Sequence, residues 1–281
     1  SQAETDMLQH SFSHIPFVGL TTERRIWDSG ICSGDEFILN PPTFLSKHKS
    51  AKIIEHLQLS TRNIESQDVS YLIQNLSAKD QWRIFQEFQS TTAYLDIETT
   101  GLGGPGDVIT TIALYDGKTI KHYVNGQNLS DFTQDIQDYK VIVTYNGKTF
   151  DIPFIESYFN IRLSHAHLDL RYILASLGYS GGLKSCELQL GIGRTGSLAE
   201  VDGFFAVLLW QDYKKKRKIK SLETLLAYNI EDVVNLEYLM ITAYNKKLDS
   251  IPLPINKLSY PTTPENPFTI DSDTVNRLKS Q

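Results

Sequence analysis

Cysteine is scarce in this chain, and the signals of secretion and membrane insertion are missing. Only Cys32 and Cys186 occur among 281 residues, so there is no disulfide framework and no zinc-ligand spacing. No apolar run approaches the length of a membrane span, and the N-terminal segment has no basic start followed by an apolar stretch. We therefore expect a soluble, cytoplasmic protein whose two cysteines are small buried side chains.

An excess of positive charge is also missing. The chain has 27 Lys and Arg against 33 Asp and Glu, a net charge of -6, whereas a protein that coats duplex nucleic acid by charge is basic. Any contact with nucleic acid must be confined to a patch or a metal-filled cleft. The composition, 41% hydrophobic and 21% charged, is that of a globular protein and excludes disordered, collagen-like and coiled-coil chains.

Three regions differ in their sequence pattern. In residues 1–90, HIPFVG and Glu23–Leu39 resemble short strand and turn pieces, and three helices are predicted in PPTFLSKHKSAKIIEHLQLS, SQDVSYLIQNLS and AKDQWRIFQEF. We expect a mostly helical arm or subdomain there. Residues 249–281 form a Pro-rich tail, which we expect to lie on the surface or on a partner.

Residues 91–248 predict an α/β domain. Three strands lie in TTAYLDI, VITTIALYDG and KTIKHYVNG, and Asp116-Gly117 predicts a hairpin between the last two. A helix with Ser130 as its N-cap follows, then the strand KVIVTYNG and a helix from KTFDIPFIESYF. HAHLDL is a short fifth strand, and the helices RYILASLG, GGLKSCELQLGI, EVDGFFAVLLWQDYKKK and SLETLLAYNIEDVVNLEYLMITAYNKKL follow it. A mixed sheet of three antiparallel strands followed by strand–helix units, flanked by helices, is an RNase H-like fold.

Two carboxylates end the first predicted strand. Asp96 and Glu98 are two residues apart, so they point to one face of the sheet. Two ionised carboxylates at close range repel each other unless a divalent cation lies between them. Thr99 and Thr100 follow at a sharp turn, where their amides and hydroxyls could meet a substrate. The alternative is a solvated strand end.

Two further segments carry acidic residues in order along the chain. Asp151 follows the strand KVIVTY at the start of the next helix, and the alternative for it is an ordinary N-cap. Tyr228 and Asp232 are four residues apart and share one helix face. Asp232 falls among apolar positions and needs a partner, for which a metal is suitable. The alternatives are a Tyr at the core edge and a capped Asp.

The three segments DIETTG, NGKTFD and YNIED together resemble the motifs of the DEDD superfamily of 3'–5' exonucleases, in its Tyr-containing DEDDy branch. HLDLRYILASLG and YNIEDVVNLEYL resemble further the YprB-type group of RNase H-like predicted exonucleases. The resemblance covers roughly residues 91–245.

This resemblance implies two Mg²⁺ or Mn²⁺ ions, which hard oxygen ligands suit. It implies that Asp96 bridges the ions and that Glu98 and Asp232 complete the site that activates water. Asp151 would support the second ion, and Tyr228 would orient the attacking water.

Several residues are candidates for binding the substrate. A basic run precedes the last long helix, in which Lys214, Lys215, Lys216 and Arg217 are the candidate phosphate contacts. A solvated loop is the alternative for this run. Lys184, after two glycines, is a further candidate, or an exposed side chain at a helix start. Thr99, Thr100 and Asn146 complete the set.

The sequence therefore predicts a metal-dependent 3'–5' exonuclease acting on single-stranded DNA or RNA. The alternatives are a non-catalytic nucleic-acid-binding or scaffold domain of the same fold, a proofreading subunit beside a polymerase, and a structure-selective endonuclease. A protein partner would bind the N-terminal arm or the C-terminal tail. Discrimination between DNA and RNA depends on contacts to the 2'-hydroxyl, for which no motif is present.

Overall fold

A computed structural model describes residues 6–192 and 202–281. The chain forms two compact units. The first comprises the described residues up to Ser90, together with Ser164–Ala166 and Thr242–Ser259. The second comprises Thr91–Leu163, the described part of His167–Ile241, and Tyr260–Gln281. Within the described ranges, no helix is long and apolar enough to cross a membrane.

The described part of the first unit is mostly helical. Its helices are α1 Met7–His10, α2 Leu20–Asp28, α3 Gly34–Leu39, α4 Lys47–Glu65 and α5 Val69–Asn75. The prediction of strand pieces at HIPFVG and Glu23–Leu39 was therefore wrong, although HIPFVG does form turns and a turn separates α2 from α3. Glu23, Ile26 and Trp27 are buried together, which is the spacing of one face of a helix. Ser33 then starts α3 by accepting a hydrogen bond from the backbone N–H of Glu36 at 3.2 Å.

The helices predicted in PPTFLSKHKSAKIIEHLQLS and SQDVSYLIQNLS are confirmed as α4 and α5, but the third was wrong. AKDQWRIFQEF contains only a 3₁₀ turn at Gln81–Ile84. Trp82, Phe85 and Phe88 are buried at intervals of three, which matches three residues per turn rather than 3.6. Between them, buried Arg83 donates two hydrogen bonds to Glu23, at 2.8 and 3.0 Å.

The second unit is built on a five-stranded mixed sheet, as predicted. Its strands are β1 Thr92–Thr99, β2 Ile109–Tyr115, β3 Ile120–Val124, β4 Val141–Thr144 and β5 Ala166–Asp169, in the order β3-β2-β1-β4-β5. β1 pairs antiparallel with β2 and parallel with β4, and β2 pairs antiparallel with β3. The predicted hairpin at Asp116-Gly117 is confirmed, because β2 and β3 pair on either side of it. Gly117 has φ 86°, and the Asp116 side chain accepts the backbone N–H groups of Lys118 and Thr119.

Helices follow and flank these strands. They are α6 Phe132–Asp135, α7 Asp151–Phe159, α8 Leu170–Ser176, α9 Leu183–Gln189, α10 Gly203–Lys216, α11 Ile219–Leu248 and α12 Ser272–Lys279. Glu200 and Val201, placed at the start of a predicted helix, lie outside the described residues. Ser130 is not an N-cap as predicted, because it lies within a 3₁₀ turn, Leu129–Asp131, that precedes α6.

Helix α12 was not predicted within the Pro-rich tail. It begins after Asp271, whose side chain accepts the backbone N–H of Thr274 at 3.0 Å. It buries only Thr274, Val275 and Leu278, so its apolar pattern is too short to stand out beside the prolines.

The two faces of the sheet bury different clusters. On one face Leu95 and Ile97 of β1 pack with Phe132, Ile152 and Ile155 from α6 and α7. The opposite face carries Val124, which packs with side chains of α10, α11 and α12. Because side chains alternate along a strand, Asp96 and Glu98 lie on this second face, on the side of α11.

Candidate metal centre

The two carboxylates of β1 lie where its regular pairing ends. Asp96 is opposite Ala113 and Glu98 is opposite Thr111, and the register shifts between Glu98 and Thr99. Such an irregularity bends a strand and changes the direction of the side chains beside it. The pairing therefore fixes both carboxylates on one face immediately before the chain leaves the sheet.

Helix α11 brings a third carboxylate to this pair. Asp96, Glu98 and Asp232 each offer an oxygen atom, and these atoms lie within 4.8 Å of one another. Asp232 reaches the sheet because its neighbours on α11, including Leu225 and Val233, are buried. The structure thus brings together three of the four carboxylates proposed from the sequence.

The fourth carboxylate, Asp151, lies beside this group. It is the first residue of α7 and is buried. One of its oxygens accepts a hydrogen bond from the backbone N–H of Ile97 at 3.2 Å. It is close enough to Asp96 and Glu98 to raise the pKa of each. A backbone contact to β1 therefore holds Asp151 next to the other acidic side chains.

The pKa values of Asp96, Glu98 and Asp151 are raised together. Burial, followed by repulsion from the neighbouring carboxylates, holds the pKa of Asp96 well above its usual range and raises that of Glu98 to about 8. Burial is also the main cause that raises the pKa of Asp151 to about 7. The Lys184 ammonium acts in the opposite direction on Glu98. Full ionisation at neutral pH is therefore costly unless a cation compensates the charge.

A cleft of about 540 Å³ opens at this group. It is lined by Glu98, Gly181, Gly182, Leu183, Lys184, Ser185, Asp202, Gly203, Tyr228 and Asp232. Gly181 and Gly182 have φ of 101° and 95°, a conformation that glycine adopts without strain. The size of the cleft suits a small ligand or a terminal residue of a polymer, and Lys184 offers it a positive charge.

Tyr228 lies one helical turn before Asp232 in the wall of this cleft. Its ring is buried in the cluster that includes Leu225 and Leu226, and the residue is 2% exposed. The ring is therefore held by packing, which fixes its position relative to Asp232.

The hydroxyls of Thr99 and Thr100 stabilise the loop that follows β1. The Thr99 hydroxyl donates to the carbonyl of Gly101 at 2.6 Å, and the Thr100 hydroxyl accepts the backbone N–H of Val108 at 2.9 Å. Neither residue lines the cleft. Their observed role is to shape the backbone beside the carboxylates.

Asn146 is not among the residues that line the cleft. It has φ 65°, its backbone N–H donates to Asp169 at 2.7 Å, and its side-chain oxygen accepts from Arg171 at 2.7 Å and from Thr149 at 2.8 Å. Asp169 also caps α8 through the backbone N–H of Arg171. These contacts stabilise the turn that leads from β4 to Asp151.

The basic run lies at the far end of α10 from the cleft. Gly203 at the start of α10 lines the cleft, whereas Lys214, Lys215 and Lys216 end the helix. A rise of about 1.5 Å per residue separates the two ends by roughly 16–20 Å. Lys216 lies 3.7 Å from Asp212, and Arg217 ends the helix with φ 51°. The structure therefore does not bring this run into the cleft.

Sequence reasoning missed one residue that contacts the acidic group, Asn229, and a second, Thr111, that contacts Asn229. Asn229 donates from its side-chain nitrogen to a carboxylate oxygen of Asp96 at 2.7 Å. Its side-chain oxygen accepts from the hydroxyl of Thr111 at 2.9 Å. The available signal was a polar residue between Tyr228 and Asp232 on a helix whose other inward positions are apolar.

Comparison with known families agrees with this architecture. The profile of the RNase_H superfamily matches residues 93–244, more than half of the chain. The chain belongs to the RNase H superfamily. No curated protein matches its sequence.

Solved structures similar to this RNase H superfamily chain include the following two. One is the family B DNA polymerase from the hyperthermophilic archaeon Pyrobaculum calidifontis, with 15% identity and a TM-score of 0.36 over 56% of this chain and 29% of that chain. The chain thus spans less than a third of the polymerase that it matches. The other is Brucella melitensis NrnC bound to pGG, with 17% identity and a TM-score of 0.30 over 59% of this chain and 89% of that chain.

The acidic group of this RNase H superfamily member fits a divalent metal ion. Asp96, Glu98 and Asp232 provide oxygen donors, and no Cys or His belongs to the set within the described residues. Mg²⁺ and Mn²⁺ prefer such ligands. The protein therefore has an RNase H-like nuclease fold with a carboxylate cluster suited to a hard cation.

Proposed function

We propose that this protein is a metal-dependent 3'–5' exonuclease that hydrolyses phosphodiester bonds in single-stranded DNA or RNA. The observation that carries the proposal is the convergence of Asp96, Glu98 and Asp232, with oxygen atoms within 4.8 Å of one another, at a cleft of about 540 Å³. The order of motifs along the chain supports the DEDDy branch and the YprB-type group. The same motifs support two Mg²⁺ or Mn²⁺ ions.

The carboxylates would hold these cations, with Asp151 in a supporting position. Bound divalent cations supply a hydroxide at neutral pH and neutralise the charge that develops on the phosphate and leaving oxygens. Tyr228 would orient the attacking water, because its hydroxyl is a poor base at neutral pH but a good hydrogen-bond partner. Lys184, on the wall of the cleft, would attract the phosphate that is to be cleaved.

Labelled oligonucleotides test this proposal. Single-stranded DNA and RNA with a label at the 3' or the 5' end are incubated with Mg²⁺, with Mn²⁺ and with chelator. We expect immediate release of a labelled mononucleotide from the 3' end, a shortening ladder from the 5' label, and no reaction in chelator. Cleavage of circular single-stranded DNA would instead indicate an endonuclease.

A matched pair of variants links the activity to the acidic group. Asp96→Asn removes one charge from the cluster and should lower kcat by at least about 100-fold, since it weakens stabilisation of the transition state. Asp138→Asn makes the same change at an exposed carboxylate of the second unit and should leave kcat unchanged. Wild-type turnover by Asp96→Asn, or full activity in chelator, would reject the metal-dependent mechanism.

A further inference from the structure

Asn229 makes a set of contacts that joins the sheet to the acidic group. The residue is completely buried on α11. Its side-chain nitrogen donates to the Oδ2 atom of Asp96 at 2.7 Å and to the backbone carbonyl of Asp96 at 3.3 Å. Its side-chain oxygen accepts the hydroxyl of Thr111 at 2.9 Å. The amide oxygen therefore contacts Thr111, and the amide nitrogen contacts Asp96.

These partners fix the orientation of the amide. Thr111 lies opposite Glu98 in the antiparallel pair of β1 and β2, so its hydroxyl is on the same face as the carboxylates. A reversed amide would place its oxygen against the carboxylate and the carbonyl of Asp96, which are both acceptors. The Thr111 hydroxyl, which donates to the amide oxygen, thus holds the N–H groups towards Asp96.

The contact restrains the rotation of the Asp96 side chain. The terminal torsion of an aspartate is broad in its energy profile, so a carboxylate at a sheet surface can turn its oxygens through a wide range. Here one amide contacts both a carboxylate oxygen and the backbone carbonyl of the same residue. Asn229 uses one of about four lone-pair sites of the carboxylate, and the other sites stay available to a cation.

We propose that Asn229, oriented by Thr111, is a positioning residue that holds the Asp96 carboxylate in the orientation needed for metal binding. This inference rests on the metal site of the proposed function. Residues that hydrogen-bond to metal ligands commonly change metal affinity by about 10–100-fold when they are mutated. Asn229 has this relation to Asp96, and Thr111 acts on Asp96 through Asn229; neither would itself contact the metal.

The test is Mn²⁺ binding measured by isothermal titration calorimetry in the absence of nucleic acid. Asn229→Ala should weaken Mn²⁺ binding by about 10–100-fold. Thr111→Val, which keeps the shape of the side chain and removes the hydroxyl, should weaken it by about 3–10-fold, because the amide is no longer held in one orientation. Thr111→Ser keeps a hydroxyl and should bind Mn²⁺ as the wild type does. The double variant of Asn229→Ala and Thr111→Val should bind Mn²⁺ no more weakly than Asn229→Ala alone, because Thr111 acts on Asp96 only through Asn229.

A control and a second measurement separate positioning from packing. Ile112 is buried next to Thr111 and belongs to the apolar cluster on the other face of the sheet, so Ile112→Val should leave Mn²⁺ affinity unchanged. Melting curves in chelator report the fold of each variant without metal. If Asn229→Ala does not fold, Thr111→Val and Thr111→Ser decide the question.

Unchanged Mn²⁺ affinity in folded Thr111→Val and Asn229→Ala would overturn the inference and leave these contacts a purely structural role. Absence of Mn²⁺ binding by the wild type would overturn it as well. Failure of this inference is distinguishable from failure of the proposed function. Weakened Mn²⁺ binding in a protein without nuclease activity would reject the function and keep the positioning role, whereas an active nuclease with unaltered affinity would do the reverse.

Discussion

Removal of the charge of Glu98 should stabilise the metal-free protein. Burial, together with the nearby Asp232 and Asp151, raises the pKa of Glu98 from 4.5 to about 8. A carboxyl group with a raised pKa stabilises the fold fully below its unfolded pKa, and this contribution is lost as pH rises through the folded pKa. In chelator, the wild type should therefore lose stability between about pH 4.5 and pH 8. Glu98→Gln keeps the shape of the side chain and cannot ionise, so it should escape this loss.

The magnitude follows from the pKa shift. A change from 4.5 to about 8 corresponds to an upper limit of roughly 5 kcal/mol at about 1.4 kcal/mol per pKa unit. Glu98 is only partly buried, and water reduces the repulsion. We therefore expect Glu98→Gln to raise the free energy of unfolding by about 1–3 kcal/mol at pH 8. For a unit of this size the melting temperature should rise by about 2–10 °C.

Divalent metal should reverse the order of stability of the wild type and Glu98→Gln. A cation at about 100 times its Kd stabilises the wild type by roughly 2.7 kcal/mol, and Glu98→Gln should lose most of this gain because it lacks one ligand charge. The assay is a set of melting curves at pH 5 and pH 8, each in chelator and in Mn²⁺, with Asp138→Asn as the control. A variant that melts below the wild type in chelator at pH 8 and still gains full stability from Mn²⁺ would refute the reasoning.

Three further predictions concern residues around the cleft and α10. Tyr228→Phe deletes one hydrogen bond and should lower kcat by about 10–1000-fold without changing Mn²⁺ affinity, unlike Asp232→Asn; a normal kcat would contradict the role of the hydroxyl. Changing the basic residues of segment 214–217 to Gln should raise KM and flatten its salt dependence while kcat is retained, if the run contacts the backbone of a longer substrate; an unchanged salt slope would contradict that contact. Hydrogen bonds from Arg277 at 2.9 and 2.6 Å are the main cause that lowers the pKa of Asp212 to about 2, so its stabilising effect should persist above pH 3.8 and disappear as pH falls through about 2. Asp212→Asn should lower the free energy of unfolding by about 2–4 kcal/mol in urea titrations at pH 7, and an unchanged midpoint would contradict this.

Local periodicity explains why much of the second unit could be predicted. The alternation in β1 places Asp96 and Glu98 on one face whatever the rest of the chain does, and a spacing of four places Tyr228 and Asp232 on one face of a helix. The hairpin at Asp116-Gly117 depends on two adjacent residues. Such features need no knowledge of distant contacts, so the mixed sheet could be expected from the sequence. The convergence of Asp96, Glu98 and Asp232 was instead implied by the resemblance of their motifs to those of the DEDD exonucleases.

Features that depend on distant partners could not be predicted in this way. Asn229 contacts Thr111 across 118 positions of sequence, and nothing within α11 shows that its amide is buried against a hydroxyl. The sequence around Arg83 has a helical pattern, and its pairing with Glu23, 60 positions away, is not visible in that pattern. The position of the basic run relative to the cleft could not be predicted either. Its proximity in sequence to Tyr228 does not show that the whole length of α10 separates the run from the cleft.

The chemical type of the supporting contacts explains how the acidic group can stay available to a cation. Asp96 is held by an amide and Asp151 by the backbone N–H of Ile97, and both donors are neutral. An arginine in the place of Asn229 could orient Asp96 equally well, but it would also neutralise the charge that attracts a divalent ion. Neutral donors fix the geometry and leave the repulsion between carboxylates in place. Burial is the main cause that raises the pKa values of Asp96, Glu98 and Asp151, and this repulsion adds to it at Asp96 and Glu98; the binding of a cation relieves the repulsion.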